Sequence, residues 1–301
     1  MPVLKPSDLL TLFFLALLSA LALCSASGNQ SWTRLVVTYA ALALAVLAAA
    51  AYRTRVNPAR RGFHLSVAVS VLTVALVFDS LGALIAGLQR ATCDATLIAI
   101  DRALFGVHPT VWLERFADPR LTNLLQLAYL SYYFIPLALG IVLVVRGRFG
   151  AFEEVLFGIL LCFYLSYLGY LLFPAIGPRF TLSQFQDASL QVPPFTAKIQ
   201  ETLNALEKNK TDAFPSGHSA VSLICLYYAW KVRERVLFAL MVPAVAGLIV
   251  ATVYLRYHYV IDVIAGIVLT AITVALAPWL RRLLSGALGQ PREPGDNTAP
   301  R

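Results

Sequence analysis

The sequence predicts an all-α fold, a polytopic bundle of about eight membrane-spanning helices. Three observations carry this expectation. Of the 301 residues, 59% are apolar and 13% charged, and the mean hydropathy is +0.73, a balance unlike that of a water-soluble domain. Apolar stretches long enough to cross a bilayer as helix recur at 8–27, 32–52, 63–88, 122–145, 152–173, 216–231, 236–255 and 260–280. The basic residues between them sort by side.

The first two stretches are rich in Ala, Leu and Val and carry no ionisable residue at mid-depth, so residues 1–60 read as an accessory hairpin. Lys5 and the small residues Ser25 to Gly28 also fit a secretory signal, but the apolar run is long for one and is read as a span. Residues 61–284 form the main membrane domain, with a six-helix core. Within it, 89–121 mix charged and apolar residues too closely to span, and are expected to lie along the interface, anchored by Trp112 and Phe116. The loop from Pro174 to Pro215 carries Ile199, Leu203 and Leu206 as the stripe of a short amphipathic helix. Residues 285–301, rich in Gly, Pro and polar side chains, are expected to be a disordered tail.

The formal charge of +8 raises nucleic acid as a partner, but the distribution of the 24 basic residues explains the charge without one, and none is expected. With eight spans, Lys5, Arg53, Arg55, Arg60, Arg61, Arg146, Arg148, Lys231, Arg233, Arg235 and the four tail arginines share one face. The short loops of the other face hold only Arg34 and Arg256. This bias places both termini in the cytoplasm of a plasma or inner membrane. Four scattered cysteines show neither a disulfide framework nor a metal-ligand spacing. NQS at 29–31 and NKT at 209–211 fit the glycosylation acceptor pattern on the outer side.

Three polar clusters then fall on that outer side: GPR at 177–179, DAFPSGHSA at 212–220 and RYHYVID at 256–262. Pro215 and Ser216 are helix-starting residues, and the free N–H groups at Ser216 and Gly217 suit a phosphate-sized anion, with His218 in the first turn. His258 and Asp262 are four apart and share a helix face. The carboxylate can take the proton of one imidazole nitrogen while the other faces substrate, the arrangement of an activated nucleophile. Arg179 and Arg256 offer fixed positive charge for phosphoryl oxygens. Each residue also has a plainer reading. The histidines and Asp262 could be packing groups or zinc ligands, or could line the path of a transporter or channel with no phosphoryl chemistry, and the arginines could anchor helix ends at the interface. No internal repeat supports the transporter.

At these residues the sequence resembles the phosphatidic acid phosphatase type 2 superfamily. PSGH at 215–218 matches its second motif. His258 and Asp262 match the third, SRxxxxxHxxxD, with Ala251 and Thr252 in place of Ser and Arg. The first, KxxxxxxRP, is reduced to Arg179, with Leu172 at the Lys position and Phe180 at the Pro. TVYLRYHYVIDVIAG is closer to the inositol phosphorylceramide synthase branch, which the preceding DRALFG and YLSYYFIPL fit loosely. The resemblance implies a lipid phosphatase or phosphotransferase that needs no metal or cofactor and acts on a membrane lipid at the outer face. His258 would attack phosphorus, Asp262 would orient it, and His218 would serve the leaving and incoming oxygens. Arg179, Ser216, Gly217 and Arg256 would hold the phosphate.

Overall fold

A computed structural model describes residues 4–27, 30–55, 61–186, 190, 196–198, 201 and 209–289. Among them the chain is helical, without a strand. The long elements are α1 (Pro6–Cys24), α2 (Trp32–Arg55), α3 (Arg61–Gly87), α6 (Pro119–Leu130), α7 (Phe134–Val145), α8 (Phe149–Leu172), α10 (Gly217–Lys231), α11 (Arg235–Tyr254) and α12 (Val260–Ala287). Shorter helices α4 (Asp94–Phe105), α5 (Pro109–Trp112) and α9 (Pro178–Thr181) lie between them.

Seven segments among the described residues are long and apolar enough to cross a membrane, with Pro119–Val145 counted as one. The eighth expected span is α10, whose 15 residues reach about 22 Å, short of the ~30 Å apolar core of a bilayer. The stretch expected to run unbroken over 122–145 is two helices joined by a 3₁₀ turn at Ser131–Tyr133. Pro136, which follows at once, has no N–H to return to the carbonyl four residues back. Asp118 starts α6, accepting the N–H groups of Arg120 at 2.9 Å and Leu121 at 3.1 Å.

The hub is α8. Of its most apolar window 67% lies inside the bundle, against 28–44% for the other six spans. The N-terminal hairpin is built into the same core: Phe14 stacks on Tyr164 of α8 at 4.3 Å, and the Thr11 and Tyr164 hydroxyls lie 2.9 Å apart. Around the outside, Phe13, Val37, Leu44, Val71, Phe134, Ile141, Leu240 and Ile267 are exposed, the apolar belt that a membrane covers.

One end of the bundle gathers the segments that the sequence assigns to the basic face. Lys5 pairs with Glu153, Arg53 with Asp8, and Lys231 with Glu154. Buried Glu234 takes Arg146 at 2.8 Å and Arg148 at 2.6 Å. Glu153 and Glu154 are thus both ion-paired at this end. At the other end α4, α5 and a 3₁₀ turn at Leu113–Phe116 fill the region expected to be interfacial, with Trp112 and Phe116 exposed.

Ile199, Leu203 and Leu206 of the expected loop helix, Asn29 of the first glycosylation tripeptide and the tail beyond Gly289 lie outside the described residues. Of the expected tail, 285–287 belong to α12. Asn209 of the second tripeptide is 2% exposed, and its Oδ1 accepts the Thr211 N–H at 3.1 Å and hydroxyl at 2.8 Å. An amide so enclosed has no room for a glycan in the folded chain.

Candidate functional site

The site begins where α10 begins. Ser216 caps the helix, its Oγ accepting the Ser219 N–H at 3.3 Å, and its own N–H donates to the Asp262 carbonyl at 2.9 Å. Gly217 is required here by space: a Cβ would lie 2.1 Å from the Tyr170 hydroxyl. The start of α10 is thereby tied to the first turn of α12, with His218 two residues beyond the tie.

Between α11 and α12 the chain reverses in a few residues. Arg256 takes a left-handed φ of 66°, and the N–H groups of Tyr257 and His258 both donate to the Thr252 carbonyl at 3.0 Å. His258 is thus held by its backbone before α12 starts. Its Nδ1 lies 2.8 Å from the Ala213 carbonyl oxygen and 3.5 Å from Asp262 Oδ2. A carbonyl can only accept, so Nδ1 carries a proton, and in the neutral ring the lone pair is on Nε2. Asp262, fully buried, spends Oδ2 on the Tyr259 N–H at 2.9 Å.

The third segment joins through backbone. Ala175 and Asp212 form an isolated bridge, with the Ala213 N–H donating to the Ala175 carbonyl at 3.0 Å. Gly177 then turns the chain with φ 87°, and a Cβ there would stand 2.7 Å from the Tyr257 carbonyl oxygen. Arg179 follows, its guanidinium 5.7 Å from the Tyr257 ring centre. Among the described residues it has no carboxylate partner.

Arg179, His218 and His258 line one small open pocket, together with Tyr129, Tyr257, Lys210 and Asp212. His258 Nε2 and His218 Nδ1 are 3.4 Å apart. The structure does not bring Ser216, Gly217 or Arg256 to this lining. The first two are buried at the helix start, and Arg256 pairs with Glu114 at 2.8 Å, both side chains being nearly enclosed.

Sequence reading missed four contributors. Tyr129 stacks on His218 at 4.8 Å and on Tyr257 at 4.5 Å, and Tyr132 packs on His218 at 4.4 Å. Their spacing of three along YLSYYF puts both on one face and was the available signal. Ala213 acts through its carbonyl, which no side-chain pattern reveals. Lys210 stood among loop charges with nothing to single it out.

His258, His218 and Arg179, which has no carboxylate ion pair among the described residues, face one pocket in a helical membrane bundle. The seven long apolar helices define a class, the polytopic integral membrane proteins. The family is given by comparison: the model of the PAP2 superfamily matches residues 95–276, and the chain belongs to that superfamily. A PA-phosphatase related-family protein of Dictyostelium discoideum is 25% identical over 235 residues, 66% of this chain and 42% of the relative. The chain therefore spans less than half the length of that relative. No solved structure matches significantly.

Proposed function

We propose that this protein is a membrane lipid phosphatase or phosphotransferase that works by double displacement through a phosphohistidine at His258. The observation that carries the reading is the 2.8 Å hydrogen bond from His258 Nδ1 to Ala213, which leaves the Nε2 lone pair facing the pocket beside His218. In the first step Nε2 forms a bond to phosphorus as the bond to the lipid oxygen breaks, and His218 gives that oxygen a proton. In the second, His218 takes the proton of water or of an acceptor hydroxyl. The new oxygen bonds to phosphorus, and the P–N bond breaks. Arg179 stabilises the charge on the nonbridging oxygens, the electrostatic part of catalysis on which phosphoryl transfer chiefly depends. Ser216 and Gly217 serve by fixing the start of α10, and Arg256 by its pair with Glu114.

Residues 61–284 would be the catalytic membrane domain and 1–60 an accessory hairpin packed on α8. The site would face outward, since the basic segments collect at the opposite end of the bundle. The shortness of α10 supports access to lipid. Running about 22 Å from the Lys231–Glu154 pair, it ends within the bilayer's thickness, where a head group can be met. The closeness of the third motif to the inositol phosphorylceramide synthase branch favours transfer to a lipid or cyclitol hydroxyl over water.

The test compares purified wild type with His258→Ala on a panel of lipid phosphates, with and without ceramide and inositol phospholipid, following free phosphate and new lipid separately. Free phosphate lost in the variant identifies a phosphatase, and a new phospholipid lost in the variant a transferase. Equal product from both proteins, or none from wild type, overturns the reading and favours a transporter.

A further inference from the structure

One helix outside the three polar clusters reaches both halves of the site. Helix α4 carries Asp94 and Asp101, seven residues apart and so on one face, both almost fully buried. Asp94 Oδ1 accepts the Gly177 N–H at 2.9 Å and the Tyr259 hydroxyl at 3.0 Å, and its Oδ2 accepts the Ile176 N–H at 3.1 Å. Ile176 and Gly177 lead directly into Arg179, and Tyr259 adjoins His258. Asp101 accepts the N–H groups of Val260 and Ile261, each at 2.9 Å, which are the first free donors of α12. Those two residues stand between His258 and Asp262.

We infer that Asp94 and Asp101 are positioning residues, and that α4 is the brace setting the Arg179 turn against the His258 helix start. The inference rests on the reading of Arg179 and His258 as phosphate ligand and nucleophile. Asp94 spans the two segments in a single carboxylate, so it governs how far the guanidinium stands from Nε2. Asp101 holds only the α12 side, so it governs the nucleophile and leaves the cation in place. A merely structural pair would lack this division. Replacing Asp94 by Asn keeps the shape but turns an NH₂ donor toward a backbone donor, which pushes the Ile176–Gly177 turn away.

The experiment measures inorganic phosphate binding by calorimetry on the purified full chain, with kcat and KM on the best lipid phosphate from the panel above. Wild type should bind phosphate and Arg179→Ala should lose that binding; absence of binding in wild type counts against the reading of the site, not against the brace. Given wild-type binding, Asp94→Asn is expected to raise the phosphate Kd and KM about tenfold with a smaller change in kcat. Asp101→Asn is expected to lower kcat about tenfold with the phosphate Kd unchanged. Tyr259→Phe removes one hydroxyl only and should raise the phosphate Kd about threefold, a readout that survives if Asp94→Asn does not fold. Wild-type phosphate affinity in Asp94→Asn and Tyr259→Phe, or an equal fall of kcat alone in Asp94→Asn and Asp101→Asn, overturns the inference.

Discussion

His258 gives its Nδ1 proton to the backbone carbonyl of Ala213, 2.8 Å away, and Asp262 Oδ2 stands farther off at 3.5 Å. The tautomer of the proposed nucleophile is therefore set by the main chain just before PSGH, with the carboxylate as a second partner.

Asp262→Asn follows from this. Where a carboxylate alone fixes an imidazole, the amide costs about 10⁴ in kcat by admitting the wrong tautomer. Here the Ala213 carbonyl still demands a proton on Nδ1, so the expected loss is about 10- to 100-fold. Initial rates on the best lipid phosphate decide it, and a loss near 10⁴ would assign the tautomer to Asp262.

The two arginines should separate. Arg179 faces the pocket, and Arg179→Ala is expected to lower kcat/KM about 10²- to 10³-fold. Arg256 is turned to Glu114, so Arg256→Ala should cost less than about tenfold in kcat/KM but reduce thermal stability, because it leaves a nearly enclosed carboxylate without its cation. Glu114→Ala should lower stability to a similar degree. Equal kinetic losses for Arg179→Ala and Arg256→Ala would return Arg256 to the phosphate.

Gly217→Ala drives a methyl into the Tyr170 hydroxyl and should destabilise the protein by about 1–3 kcal/mol. In the double variant with Tyr170→Phe the nearest ring atom lies 3.4 Å from the new Cβ. Part of the loss should then be recovered, as read by thermal unfolding in detergent. No recovery would show that the glycine is needed for something other than space.

Orientation is open to labelling. An impermeant maleimide on intact cells should reach Arg90→Cys, at the pocket end, and should reach Arg235→Cys only after permeabilisation. Both variants carry Cys24→Ser, which removes the exposed native thiol, and Cys93 gives little background, because burial first, and then the charges of Asp94 and Asp262, push its thiol up to about 11. The reverse pattern would place the site in the cytoplasm.

Much of the fold was legible because a bilayer imposes simple rules. Run lengths place the spans to within a few residues, as 32–52 against Trp32–Arg55 and 152–173 against Phe149–Leu172. The break at Ser131–Tyr133 was not read, although Pro136 stood in plain view. The convergence of His218, His258 and Arg179 on one pocket was legible from side chains and topology. The Ala213 carbonyl, the Arg256–Glu114 pair and the α4 aspartates were not, because each depends on which groups meet across more than 40 residues of sequence.

The most direct test of the account is to trap the intermediate. Purified protein mixed with a lipid carrying labelled phosphate, quenched within a turnover and digested should yield an acid-labile, alkali-stable phosphopeptide containing His258. His258→Ala, folded to the same thermal midpoint, should yield none. Label retained in His258→Ala, or found on another residue, would contradict the double displacement.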